Sequence, residues 1–218
     1  MRRLYREARI PPRVRPARLV YRSVYPAGPI PQRMRIKGPA GQPIPDYIAE
    51  VAADLFYRDG LHAVGVDRVA DVAGLTKRTL YRHFRSKDEL IAASLRRAPR
   101  VHFPRNGAPV ERIIGAFERL ETFLGTTRYR GCPYVVFTAE LTEPAHPARR
   151  LIEKLLLKRR MWFRDRAAEA GLRDPDEVAE QLDLLFDGAL ASGAKRGDLV
   201  PARTAKSLAL MVLSRQAS

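Results

Sequence analysis

Two short helical segments meet at Gly74, and their spacing limits what this chain can fold into more than any other feature of the sequence. Apolar residues recur at helical spacing from residue 66 to residue 73, and Thr76 is placed to cap a second helix that begins directly after it. Leu80 and Phe84 are four residues apart, so they share the face of this second helix that packs against its neighbours. Because glycine enters a left-handed turn at little cost, we predict a helix-turn-helix across residues 66–84.

Helices are also predicted on both sides of this unit. Ahead of it, apolar residues at helical spacing follow Asp46, which we expect to cap the helix, and Gly60 ends that helix. After it, residues 86–89 form a capping box in which Ser86 and Glu89 satisfy each other's backbone amides at the start of a fourth helix. The first folded unit is therefore predicted to contain four short connected helices.

The third of these helices is basic. Residues 72–87 contain five Lys and Arg residues and no acid, and Lys77 sits at the exposed N-terminal end of the helix. A helical wheel places the following side chains opposite the packing face or on its flanks: Arg78, Thr79, Tyr81, Arg82 and His83. In a DNA major groove, Lys and Arg donate to guanine O6 and N7, and hydroxyl and imidazole groups suit phosphate oxygens. The alternative is a basic face that contacts only water.

These residues resemble a known family. Phe56, Gly60 and residues 69–87 are similar to the TetR family of transcriptional regulators. The resemblance implies an all-α dimer, with an N-terminal DNA-binding domain and a C-terminal domain that binds a small molecule and dimerises. It implies that Lys77 and Arg78 contact bases. The residues that it assigns to phosphate contacts are Thr76, Thr79, Tyr81, Arg82, His83 and Lys87.

One position departs from the family pattern. Where relatives often place Thr or Ser at the start of the second helix to bind phosphate, this chain has Val66 followed by Asp67. The Asp67 carboxylate does suit the positive end of a helix dipole, but neither residue offers the hydroxyl group of the family pattern. The sequence therefore does not predict a phosphate clamp on the second helix.

The net charge of +16 is concentrated near the N-terminus, where residues 1–45 hold eleven basic side chains and one acid. Nine of the 17 prolines also lie there, so we expect residues 1–43 to be disordered. Three interpretations stay open: a basic arm that follows DNA, a solvated tail, or an upstream extension of a protein whose translation begins at Met34.

Residues 102–218 are predicted to form a helical effector-binding and dimerisation domain, following a DNA-binding domain over residues 44–101. Helices are expected from Pro109, from 148 to about 170, from Asp174 and from Pro201, and residues 134–137 are expected to be helical because a lone strand would have no partner. Four side chains are predicted to share one side of the last helix: Ala205, Leu208, Ala209 and Val212. The resemblance implies that the last two helices pair with their copies in a four-helix interface.

Cys132 is the only cysteine, so an internal disulfide is impossible and a reducing, cytoplasmic compartment is expected. Arg128 and Arg130 lie nearby in sequence and would lower the pKa of the thiol, which would suit a redox sensor. The alternative is a small packing residue. No apolar run approaches the roughly 18 residues of a membrane-spanning helix, so no membrane partner is expected.

Two further groups of residues were considered as ligand sites. Glu140, Glu143 and His146 form a poor ligand set because prolines interrupt the segment, so no metal is predicted. Aromatic residues of the C-terminal half either line an apolar effector pocket or form the core: Phe117, Phe123, Tyr129, Tyr134, Phe137, Trp162 and Phe186. No phosphate-binding loop, zinc signature or nucleophile elbow is present, and no cofactor is predicted.

These patterns predict a one-component transcriptional regulator without enzymatic activity. We expect a homodimer because one short recognition helix reads only a few base pairs, and twofold symmetry then predicts a palindromic operator. The function that fits the resemblance best is that of a repressor. An unknown small-molecule effector would release it from the operator by moving the helix that begins at Lys87. Two alternatives from other classes remain: a helical enzyme with a basic substrate cleft, and a non-specific nucleic-acid binder that uses the N-terminal arm.

Overall fold

The computed structural model describes residues 37–126 and 129–216, and the helices within these ranges confirm the predicted all-α fold. They are α1 Ile44–Asp59, α2 Val66–Ala73, α3 Lys77–His83, α4 Lys87–Leu95, α5 Pro109–Leu124, α6 Pro133–Glu140, α7 Pro147–Glu169, α8 Pro175–Arg196 and α9 Val200–Gln216. Among them, no helix combines the length and the apolar character that crossing a bilayer requires. Most of the segment predicted to be disordered lies outside the described residues. Its last part, residues 37–43, forms a turn in which Gly38 N donates to Gln42 O (2.7 Å).

Helix α1 begins three residues before the predicted start. Its N-cap is Pro43, and Asp46 lies inside the first turn instead of capping it. The prediction was wrong because Pro45 does not block the start of a helix: the first turn needs no intrahelical amide donors, so a proline fits there. The other end is as predicted, since Gly60 ends α1 with a φ of 93°.

The helix-turn-helix is confirmed. Gly74 ends α2 in the left-handed conformation (φ 65°, ψ 31°), and Thr76 Oγ1 accepts a hydrogen bond from Thr79 N (3.2 Å) at the start of α3. Leu80 and Phe84 are both buried in the core beneath α3. The tight turn and the buried pair together fix the direction in which α3 leaves α2.

The start of α4 differs in one bond from the predicted capping box. Ser86 Oγ accepts from Glu89 N (3.1 Å), as predicted. The Glu89 carboxylate accepts from Arg85 N (2.7 Å) instead of from the serine amide. The reciprocal bond therefore reaches one residue further back, and it fixes the link between α3 and α4.

Two hydrophobic cores hold the helices together. The first core joins the four helices from α1 through α4, around Leu55, Phe56 and Leu90. It also includes Phe137 of α6 and Ile152 of α7. The second joins α5, α7, α8 and α9, with these phenylalanines at its centre: Phe117, Phe163 and Phe186. Helix α6 and the first part of α7 thus pack against the helix-turn-helix unit, although they follow it by about 40 residues.

Most helix starts in the C-terminal half were predicted closely. Helices α5 and α8 begin as expected, and residues 134–137 lie in α6. Helices α7 and α9 begin one residue early, at Pro147 and Val200, because a proline again fits in the first turn.

The predicted inner face of α9 was wrong at one position. Leu208 is 40% exposed, whereas the buried stripe consists of Ala202, Ala205, Ala209 and Leu213. This stripe is narrow because three of its four side chains are small, which lets α9 approach α5 and α8 closely. Leu208 lies beside the stripe instead of within it.

Candidate nucleic-acid interface

Helix α3 turns its basic face away from the core. Leu80 is fully buried, while Lys77, Arg78 and Arg82 are exposed. Tyr81 is also exposed, and the remaining predicted contacts lie at the edges of the helix: Thr79 and His83 are half-buried and Thr76 is exposed. The structure therefore brings seven of the eight predicted side chains onto one helix and its cap.

The eighth residue, Lys87, is the first residue of α4 and is half-buried. It follows α3 after only three residues, and the Arg85 to Glu89 bond holds this link. A cation at this position lies near the end of α3 opposite to Lys77. A DNA duplex that contacts both ends of α3 would therefore meet positive charge along the whole length of this helix.

Lys77 is held by an acid from the preceding helix. Its Nζ lies 2.8 Å from Asp67 Oδ1 and 3.1 Å from Asp67 Oδ2. The hydrogen bond to Asp67, helped by the charge of that carboxylate, raises the pKa of Lys77. Lys77 therefore stays protonated, and any external group that binds its ammonium would have to replace Asp67 as its partner.

Sequence reasoning placed Asp67 at the start of α2 and did not foresee this ion pair. The two residues are ten apart, and their contact depends on the angle that the Gly74 turn sets between α2 and α3. The only signal in the sequence was that residues 72–87 contain no acid, so Asp67 and Asp71 are the nearest acids before Lys77 along the chain.

The hydroxyl groups at the start of α3 are paired with each other. Thr76 Oγ1 lies 2.9 Å from Thr79 Oγ1 and also accepts from the Thr79 amide. These bonds cap the helix, so they orient both hydroxyls at the end where Lys77 lies.

Helix α6 connects the helix-turn-helix unit to the C-terminal half through hydrogen bonds that the sequence did not reveal. The Tyr57 hydroxyl of α1 donates to Gly131 O (2.8 Å) and accepts from Arg130 N (2.7 Å), just before α6. At the other end of α6, Glu140 Oε2 accepts from Leu61 N (2.6 Å). The N-terminal end of α6 is thus hydrogen-bonded to α1, and its C-terminal end is hydrogen-bonded to the loop that follows α1.

Two of the three residues considered as metal ligands, Glu140 and His146, serve these connections instead. Glu140 accepts from the loop after α1, and His146 Nε2 lies 3.3 Å from Asp88 Oδ1 of α4. His146 Nδ1 accepts from Ala148 N and so caps α7 (3.0 Å). Within the described ranges, no group of three His, Cys, Asp or Glu residues is arranged to hold a metal ion.

Of the two interpretations of Cys132, the structure favours the small packing residue over an activated thiol. Cys132 is buried in the second core, and burial raises the pKa of its thiol. Arg128 lies outside the described residues, and Arg130 is exposed. Desolvation of the thiol outweighs the charge of Arg159, which alone would lower its pKa.

The aromatic residues of the C-terminal half are mainly core. The rings of Phe103, Phe117, Trp162, Phe163 and Phe186 pack together with centroids 4.6–6.0 Å apart. Phe123 and Tyr129 form a separate pair at 5.3 Å, Phe137 belongs to the first core, and Tyr134 packs against both cores.

A buried ion pair lies beside this aromatic cluster. Arg159 Nε lies 2.5 Å from Asp183 Oδ1, and Nη2 lies 2.8 Å from Asp187 Oδ2. Burial alone would lower the pKa of Arg159, but the bonds to both carboxylates outweigh it, so the pKa is raised. The guanidinium therefore remains charged inside the C-terminal half.

Comparisons with known proteins agree with this geometry. Residues 48–94 match the family model described as bacterial regulatory proteins, tetR family. A stretch of 46 residues is 50% identical to the HTH-type transcriptional activator FasR of Mycolicibacterium smegmatis, and it spans 21% of this chain and 21% of that protein.

Two solved structures resemble the whole described fold. A putative TetR transcriptional regulator (sav143) of Streptomyces avermitilis is 36% identical, with 79% of this chain and 97% of that chain covered and a TM-score of 0.66. The TetR family regulator CifR, in a cysteine mutant complexed with 26 bp double-strand operator DNA, is 17% identical, with coverage of 78% and 95% and a TM-score of 0.60. At 17% identity, the similarity to CifR shows a shared fold and nothing more.

Proposed function

Because this chain belongs to the TetR family of bacterial regulatory proteins, a family of DNA-binding transcriptional regulators, we propose that it binds a palindromic operator as a homodimer and that a small-molecule effector releases it. The observation that carries the proposal is the exposed basic face of α3 above the buried Leu80. In this account Lys77 and Arg78 read base edges. The proposed phosphate contacts are Thr76, Thr79, Tyr81, Arg82, His83 and Lys87.

An exposed apolar surface on α8 and α9 supports the homodimer. Leu184 is 71% exposed in the middle of α8, and Leu208, Leu210 and Met211 of α9 are 40–52% exposed. Large apolar side chains exposed on two adjacent helices mark an interaction surface. We propose that these helices pair with their copies, which places two recognition helices on the two half-sites of one operator.

The hydrogen bonds of α6 support coupling between the two halves of the protein. We propose that residues 44–101 bind DNA and that residues 102–218 bind the effector and dimerise. A shift of α6 would pull on Tyr57 or on the loop that Glu140 holds, and a shift of α4 would move Lys87. A coupling free energy of about 1–3 kcal/mol would change operator affinity about 5- to 150-fold.

We propose repression, in the cytoplasm, as the outcome of binding. FasR is named an activator, so the sign of regulation needs a direct test. A reporter gene placed behind the selected operator should be less active when the protein is present. Higher activity would show that this chain activates transcription.

The experiment that tests the function is selection of bound DNA from a random pool with the full chain. The proposal predicts an enriched palindrome with two half-sites. Gel shifts with the full chain and with residues 37–218 then separate the alternatives. An arm-dependent binder would lose its affinity on truncation and show no sequence preference, and an enzyme with a basic cleft would select no DNA.

A further inference from the structure

A groove of about 340 Å³ lies where the end of α4 meets the first turns of α7. Its lining consists of Arg96, Ala145, Pro147, Arg150, Leu151 and Lys154. Three of these six residues are cations and none is an acid. Arg96 is the C-cap of α4, while Arg150 and Lys154 lie one turn apart on α7. The groove therefore collects positive charge from two helices that belong to different halves of the chain.

Among the described residues, none of these three cations makes an ion pair, whereas several cations near them do. Arg97, adjacent to Arg96, pairs with Asp46 at 2.7 Å. Further along α7, Arg160 pairs with Glu180 and Arg164 pairs with Asp176, both at 2.9 Å. Arg160 and Arg164 are thus paired with acids of α8, whereas the three cations of the groove have no acidic partner within the described ranges.

The composition of the groove defines what it would bind. Guanidinium groups bind phosphate and carboxylate groups through two parallel hydrogen bonds, and an ammonium group adds a point charge. The N-terminal end of α7 also carries the positive end of the helix dipole. Leu151, Pro147 and Ala145 offer apolar contacts, and the volume lies at the lower end of the range of small-molecule sites.

We propose that this groove binds a small molecule through two or more oxyanion groups, phosphate or carboxylate. Arg96 holds the ligand from the α4 side, and Arg150 and Lys154 hold it from the α7 side. Binding offsets the repulsion among three cations that have no acidic partner in the part of the chain that the structure describes. The site lies apart from the aromatic core, since none of its lining residues belongs to the ring cluster around Phe163.

The ligand would link the two helices that carry the signal. Because α4 begins at Lys87 and Arg96 caps its C-terminal end, a molecule bound between Arg96 and α7 restrains the position of α4 relative to the C-terminal half. This regulatory consequence rests on the proposed function, whereas binding of the oxyanion does not.

Calorimetric titration of the full chain tests the site, with pyrophosphate and citrate as separate probes at constant ionic strength. We expect saturable binding of at least one probe, and the stronger of the two identifies the preferred oxyanion. Arg150→Gln and Lys154→Gln should each weaken it about tenfold or more, since each removes a charge-assisted hydrogen bond. Lys158→Gln is the matched control: Lys158 is exposed one turn beyond Lys154 on α7 and does not line the groove.

The control should bind the probe like the unmodified chain. Absence of saturable binding for both probes, or an equal loss in Lys158→Gln, would overturn the proposed site.

A second readout is the Kd of the selected operator with and without the bound probe. The probe should change this Kd in the unmodified chain and in Lys158→Gln, but not in Lys154→Gln. If the probe binds and the operator Kd does not move, the regulatory role is wrong and the site stands. If the chain selects no operator although the probe binds, the proposed function fails and the site again stands.

Discussion

The ammonium of Lys77 lies 2.8 Å from a carboxylate oxygen of Asp67, so the side chain proposed to read a base already has a partner within the protein. Both side chains are more than half exposed, and an exposed ion pair contributes little to stability. Its effect is on binding, because DNA has to offer Lys77 a better partner than Asp67. A base edge with two acceptors meets that demand, whereas a phosphate that approaches Lys77 also meets the negative charge of Asp67.

Asp67→Asn should therefore make binding less selective. Removing the carboxylate frees Lys77 for phosphates and removes a repulsive charge, so we expect affinity for random DNA to rise about two- to fivefold while operator affinity changes less. Titrations of both DNAs at one salt concentration measure the ratio. Asp71→Asn on the same helix is the control, since Asp71 is exposed and makes no ion pair among the described residues. An unchanged ratio in Asp67→Asn would contradict the role of the pair.

Lys87→Ala should weaken binding to all DNA sequences alike. We assign Lys87 to a phosphate, and loss of one phosphate contact reduces the slope of log K against log salt by about one. The measurement is the salt dependence of the Kd for operator and for random DNA. A loss confined to the operator would assign Lys87 to base reading instead.

Tyr57→Phe should destabilise the protein by about 1–3 kcal/mol, because it leaves Gly131 O and Arg130 N without their buried partner. Urea unfolding measures the free energy, and Tyr81→Phe is a control with an exposed hydroxyl. An equal effect of both substitutions would rule out a special contribution from the Tyr57 hydroxyl.

The same tyrosine makes a prediction for pH. Burial raises the pKa of Tyr57 above its usual value in an unfolded chain, so the folded state favours the neutral phenol. Its contribution is complete below about pH 10 and is lost as the pH rises through the higher folded value. The free energy of unfolding should fall less steeply in alkaline solution for Tyr57→Phe than for the unmodified protein.

Leu184→Glu should dissociate the proposed dimer. Burying one leucine in each protomer stabilises by about 1.5–3 kcal/mol per side chain, so the dimer Kd should rise roughly 100-fold or more. Sedimentation over a range of concentrations measures it. Leu157→Glu is the control, because Leu157 is an exposed leucine on α7, outside the proposed interface. Dissociation by Leu157→Glu alone would place the interface on α7.

The sequence predicted best where structure depends on neighbouring residues. Gly74, the Thr76 cap and the Leu80 spacing act over one or two turns, and all three were confirmed. The predicted starts of α1 and α9 lie too late in the sequence, because the prediction lets each helix begin only at or after a proline that in fact lies inside its first turn.

Features that depend on packing between distant elements were missed or misjudged. The sequence left open whether Cys132 is an activated thiol or a packing residue, because sequence neighbours do not reveal the burial that raises the pKa of this thiol. The Asp67 to Lys77 pair and the Tyr57 bonds depend on angles between helices, and the groove at Arg96 needs two helices placed together. The assignment of individual base and phosphate contacts remains a prediction.

The most direct test of the central claim is the base preference of Lys77→Ala and Arg78→Ala. The Kd of each variant is measured on the selected operator and on operators with one base pair changed in each half-site. If α3 reads bases with these two side chains, each variant loses about 5- to 150-fold in affinity for each half-site of the operator, and it discriminates less at one particular base pair. If both variants lose the same factor on operator and random DNA alike, neither residue reads bases and the account is wrong.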